Sequence, residues 1–120
     1  MRKVVLLSCT KEKLNYKSKV EDLYSPSPRF NDFLKLAKNM NANKILVISA
    51  KHHVLELDDE IEPYDANLED FLNVDKKKWG LEVIKQLKEK NCDLDNDQFF
   101  LILDANYRKF IEPYLKHHIS

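Results

Sequence analysis

The sequence predicts a small single-domain α/β fold over residues 1–120, an open parallel sheet with helices on both faces. Three observations predict it. Val4–Leu7, Ile45–Ile48 and Phe99–Leu103 are near-continuous apolar runs, the composition of strands buried on both faces. Stretches with helical apolar period separate them. A length of 120 residues is enough for one domain with one core.

Taken in order, the first run ends in Ser8-Cys9-Thr10. Residues 11–25 then make a polar loop, longer than usual between a strand and a helix, with Leu14, Tyr16, Val20, Leu23 and Tyr24 as apolar anchors. Ser27-Pro28 is a helix start, serine as N-cap and proline at the first helical position. Phe30, Phe33, Leu34 and Ala37 fall on one face of that helix, which ends between Asn39 and Asn43. The second run follows and stops at Ser49-Ala50-Lys51-His52-His53. Val54-Leu55 tucks into the core, and Asp58-Asp59-Glu60 is a solvated turn. Pro63 stiffens the loop that carries Tyr64 and Asp65. Leu68, Phe71 and Leu72 fit one helical turn. Asp75 caps a helix that runs to about Lys90, with Trp79, Val83, Ile84 and Leu87 on its apolar side. The third run ends in Asp104-Ala105-Asn106. A last helix carries Tyr107, Phe110, Ile111, Tyr114 and Leu115, interrupted at Pro113, and leaves His117-His118 exposed.

Composition excludes several function classes. Twenty Lys and Arg balance twenty Asp and Glu, which argues against a general duplex-DNA binder, although Lys11, Lys13, Lys17 and Lys19 form a local basic patch. The single glycine, Gly80, excludes a Walker A loop and a dinucleotide fingerprint, so any phosphate would have to be held by side chains and a helix N-terminus, and no cofactor is expected. Cys9 and Cys92 form no zinc spacing, and no metal site is expected. Both thiols are expected reduced, in a cytoplasmic protein with neither a signal peptide nor a membrane span. The sequence sets no oligomeric state.

Strands of a parallel sheet end along one edge, where ligands of open α/β sheets bind. Here that edge receives Ser8, Cys9, Ser49, Lys51, His52 and Asp104, all chemically capable groups. The opposite edge receives less distinctive residues such as Arg2-Lys3 and Asn43-Lys44. Lys51 and Lys13 are candidates to hold an anion, and His52 to move a proton. Asp65 or Asp104 would orient that histidine or bind a sugar hydroxyl. Tyr16, Tyr24 or Tyr64 could stack on a base.

Three of these segments resemble, in matching order, motifs of a small-domain branch of the YaaA-like superfamily. Ser8-Cys9-Thr10-Lys11-Glu12-Lys13 matches its S-C-x-K-x-K pattern. Ser49-Ala50-Lys51-His52-His53-Val54-Leu55 is similar to S-A-K-H-G-L-L, and Pro63-Tyr64-Asp65 to P-Y-D. The resemblance also covers Leu23-Tyr24 and Tyr107. Cys9 and Lys13 further fit the spacing of P-C-x-x-x-K-P-Y in the lysine-transferring module of archaeosine synthase, with Ser8 and Leu14-Asn15 departing from it. The resemblance implies a site containing Lys11, Lys13, Lys51, His52, Tyr64 and Asp65 and a nucleic-acid context. His53 stands where the family has glycine, a position that calls for positive φ or close ligand approach.

Two functions fit. One is an enzyme on a nucleobase, nucleoside or nucleotide, free or within a nucleic acid, acting at the N-glycosidic bond or modifying the base. Its catalytic set would be His52, Lys51, Lys13 and Asp65, with Ser8, Cys9, Lys11, Tyr24, Ser49, Tyr64 and Asp104 binding substrate. The other is a non-catalytic nucleotide- or nucleic-acid-binding module of a stress or defence system, using the same lysines without needing His52.

Overall fold

In the computed structural model, which describes residues 1–120, the elements run as follows. β1 (Lys3–Ser8) leads through β2 (Ser18–Lys19) and the one-turn α1 (Val20–Leu23) to α2 (Pro28–Lys38). Then come β3 (Lys44–Ser49), β4 (His53–Glu56), β5 (Glu60–Ile61) and α3 (Asn73–Glu89). β6 (Gln98–Ile102), α4 (Ala105–Arg108) and β7 (His117–Ile119) finish the chain. The main sheet has the order β4-β3-β1-β6-β7. β1 is central and parallel to both neighbours, with Val5 opposite Ile45 on one side and Phe100 on the other. Val4, Val5, Leu6 and Leu7 are fully buried, as an apolar run without alternation requires.

The three expected strands are therefore parallel partners in one α/β sheet. Two further strands of this sheet were not expected. β4 folds back antiparallel on β3, so the sheet is mostly rather than wholly parallel. β7 adds to the other edge, parallel to β6. His117 and His118 are consequently half-buried strand residues, not an exposed tail.

The helices follow their sequence signals with some corrections. Ser27 caps α2 by accepting from the Phe30 N–H at 3.2 Å, and Pro28 is its first residue. Phe30, Leu34 and Ala37 pack inward, whereas Phe33 is only half-buried. α3 starts two residues before Asp75, which lies in its first turn where a carboxylate favours the helix dipole. Trp79, Val83, Ile84 and Leu87 form its buried side. Gly80 sits there because the chain at Phe110 passes so close: a Cβ would lie 2.5 Å from the Phe110 carbonyl oxygen. The expected last helix is broken. α4 ends at Arg108, a 3-10 turn occupies Glu112–Tyr114, and Pro113 lies in that turn. Ile111 is buried and Phe110 half-buried.

Residues 11–25 are not a free loop. β2 pairs with β5, and the Val20 and Glu21 N–H groups donate to the Asp59 and Leu57 carbonyls at 2.8 and 3.0 Å. Val20, Leu23 and Tyr24 become fully buried. No helix is long and apolar enough to cross a membrane. From β1 the chain moves to β3 on one side, and it later returns to β6 on the other. α2 lies in the first of these connections and α3 in the second. A crevice opens at the switch point, beyond the ends of β1 and β6.

Candidate active site

At that point the two strand ends are tied together. The Asp104 N–H donates to the Ser8 hydroxyl at 2.7 Å. One residue on, the Cys9 N–H donates to the Ile48 carbonyl at 3.1 Å, and the Cys9 thiol shares a 3.4 Å contact with the Tyr107 hydroxyl. Above Cys9 lies a cavity of about 620 Å³. Its walls are Cys9–Lys13 after β1, Ser27–Arg29 at the start of α2, Asp65–Asn67 with Glu69 and Asp70, and Asp104, Asn106 and Tyr107 after β6. The volume is within the usual range for small-molecule sites.

Behind Lys13 stands a buried hydroxyl cluster. Ser49 donates to the Tyr64 hydroxyl at 2.7 Å, and the Tyr64 and Tyr24 hydroxyls share a 2.5 Å hydrogen bond. Ser49 Oγ also accepts the N–H groups of Lys51 and His52, at 3.2 and 3.1 Å. The Trp79 indole N–H donates to the Ser49 carbonyl at 3.1 Å, locking the end of β3 against α3. Burial raises the pKa of Tyr24, Tyr64 and Tyr107, so these phenols are neutral at physiological pH.

Lys13 joins the cluster to the cavity. Its ammonium lies 4.6 Å from the Tyr64 ring centroid and 5.7 Å from that of Tyr24, and donates to the Lys11 carbonyl at 3.1 Å. Desolvation lowers its pKa, while the neighbouring Cys9, Asp65 and Glu12 oppose the shift. His52 packs edge-on to Tyr64, with ring centroids 5.2 Å apart. Its pKa is lowered by desolvation and by the neighbouring Lys51 and His53.

Of the residues expected at the site, Cys9, Lys11, Lys13, Asp65 and Asp104 line the cavity. Ser8 and Ser49 are buried beneath it and hold strand ends in place. Tyr24 and Tyr64 back Lys13 without lining the cavity, and fully buried Tyr24 has no face left for a base. Lys51 and His52 lie outside: Lys51 is exposed and His52 is behind Tyr64. The reason is the reversal after β3. Ala50–His52 turn the chain towards the β4 edge, away from β6, and His53 completes the turn at φ 67°. That left-handed backbone is what a glycine at this position would provide.

Sequence reasoning missed Arg29, which makes an ion pair with Asp104, and also Asn67, Glu69 and Asp70. The Ser27-Pro28 helix start was a signal for Arg29, since it places the next residue at a helix N-terminus. Nothing local marked Glu69 or Asp70. No three His, Cys, Asp or Glu side chains converge as a metal-binding group.

The profile of a family of unknown function, DUF6884, matches residues 4–120. No curated protein and no solved structure matches the chain. The chain belongs to DUF6884.

Proposed function

We propose that this member of DUF6884 is an enzyme acting on a nucleobase, nucleoside or nucleotide, free or within a nucleic acid, with the cavity beyond β1 and β6 as its active site. The observation that carries the reading is the position of Lys13. A half-buried ammonium on the cavity wall, held over Tyr64, gives up its proton more readily than an ordinary lysine. The resemblance of Ser8–Lys13 and Pro63–Asp65 to YaaA-like motifs supports the same two segments and the nucleic-acid context.

The chemistry that suits this pair is cleavage of an N-glycosidic bond. The bond between sugar carbon and base nitrogen breaks, and its electron pair leaves with the base. Lys13 donates a proton to that nitrogen. Asp65 stabilises the positive charge growing on the sugar and takes the proton from the water that attacks its carbon. Arg29, paired with Asp104, fixes one wall. His52 acts only as a positioning residue, through Tyr64. The buried free thiols of Cys9 and Cys92 support a reducing, cytoplasmic setting.

The position of His52 outside the cavity favours a second reading, a non-catalytic nucleotide- or nucleic-acid-binding module. The experiment incubates the protein with nucleosides, nucleotides and single-stranded DNA and RNA, and follows released or altered base by mass spectrometry. Turnover abolished in Lys13→Ala and Asp65→Asn supports the enzyme. Binding of the same compounds without any turnover replaces it with the module.

A further inference from the structure

The charges around the cavity bear on which of these substrates fits, and the inference rests on the reading just given. Three cations, Lys11, Lys13 and Arg29, face five carboxylates, Glu12, Asp65, Glu69, Asp70 and Asp104, a formal balance of −2. Pairing leaves that balance in place. Arg29 and Asp104 cancel, so Lys11 and Lys13 face twice as many carboxylates. Glu12, Asp65, Glu69 and Asp70 appear in none of the ion pairs of the chain.

The N-terminus of α2, which also lines the cavity, is a weak anion site for the same kind of reason. Pro28 has no N–H, and the Phe30 N–H is held by Ser27, so two of its first three positions offer no free donor. A phosphate carries roughly −1.5 to −2 charge at neutral pH and offers acceptors. Against Lys11 and Lys13 it would meet twice as many unpaired carboxylates, which also only accept. Sugar hydroxyls and exocyclic amines are donors and match them. The backbone that carries two of these carboxylates is firmly placed. Glu69 and Asp70 belong to a 3-10 turn anchored by fully buried Leu68 and capped by Asn67, whose Oδ1 accepts from the Glu69 N–H at 3.1 Å.

We propose that the cavity takes an unphosphorylated nucleoside and discriminates against nucleoside di- and triphosphates, with Glu69 and Asp70 as specificity-determining residues that accept hydrogen bonds from the sugar. This separates the site from one that reads phosphate, and moves Lys13 from anion binding to proton transfer.

The test is titration calorimetry of the full chain at low salt with adenosine, guanosine, cytidine and uridine and with their 5′-diphosphates. At least one nucleoside is expected to bind about tenfold or more tighter than its own diphosphate, a difference well resolved by calorimetry. Glu69→Gln and Asp70→Asn should weaken that nucleoside, and the double variant Glu69→Lys/Asp70→Lys should reverse the preference. Both positions are exposed, so the fold survives these changes, which circular dichroism verifies. A diphosphate that binds tighter than its nucleoside overturns the inference and leaves the wider reading of the cavity standing. If neither class binds the folded protein, the inference is overturned, and the wider reading is then decided by the turnover experiment with single-stranded DNA and RNA.

Discussion

Ser8 and Asp104 are 96 residues apart, and a single hydrogen bond from the Asp104 N–H to the Ser8 hydroxyl joins the ends of β1 and β6. Ser8 is 1% exposed, so water cannot replace it. Ser8→Ala leaves the part-buried Asp104 N–H without its partner and should cost about 1–3 kcal/mol. Urea unfolding measures it. An unchanged midpoint would show that the two strand ends are held by something else.

Gly80→Ala tests the approach of α3 to Phe110. Alanine favours a helix interior over glycine by about 1 kcal/mol, so an open site would gain stability. Here the new Cβ meets backbone at 2.5 Å, and backbone cannot step aside as a flexible side chain would. The expected result is net destabilisation, about 1–3 kcal/mol by analogy with overpacked cores. A raised Tm would contradict the contact.

At His53 the comparison is between two replacements. His53→Gly and His53→Ala both delete the imidazole, but only alanine stays strained at φ 67°. The glycine variant should be the more stable by about 1 kcal/mol. Equal stabilities in thermal unfolding would mean that the turn relaxes to negative φ.

Lys13 gives a pH dependence with a definite sign. Its folded-state pKa lies below the ordinary value near 10.5. Between those two values the unfolded chain binds more protons than the folded one, so Lys13 makes stability rise with pH in that window. Below the window both states are protonated and the folded state bears the desolvation. In the proposed role of proton donor, Lys13 should also give turnover an alkaline limb with an apparent pKa below 10.5. A pH–rate profile that is flat up to that value would remove Lys13 from the proton transfer.

The two groups outside the cavity should behave differently from Lys13. Lys13→Ala is expected to lower turnover by about 10²–10⁴. Lys51→Ala should leave ligand affinity unchanged, since its side chain is exposed and lines no part of the cavity. His52→Ala should change turnover by less than about tenfold, corresponding to at most ~1.4 kcal/mol of barrier. A larger loss in His52→Ala, at unchanged affinity, would return His52 to the reacting atoms.

The central sheet was legible because its signals are local. An apolar run without alternation, such as Val4–Leu7, has only a doubly covered strand to occupy. Ser27 and Pro28 announce α2 by chemistry that acts within three residues. The edge strands carried no such signal. His117–Ile119 is polar and short, and becomes a strand only because β6 offers a free edge. The last helix was overread, since the apolar spacing of Tyr107 to Leu115 continued past the point where Pro113 and the return to the sheet break it.

The amino-acid sequence by itself determined the parallel α/β framework, and with it the edge at which the polar strand ends gather. Which of those ends share a cavity was decided in three dimensions. β3 and β1 end side by side, yet the antiparallel return through β4 carries Lys51 and His52 away, while Asp104 stays at the crevice. Arg29 meets Asp104 across 75 residues, and Glu69 and Asp70 reach the wall only because Leu68 is buried beneath them. Periodicity reports how a residue faces its own helix or strand. The direction of a chain reversal and the pairing of distant charges depend on long-range packing, which no local pattern encodes.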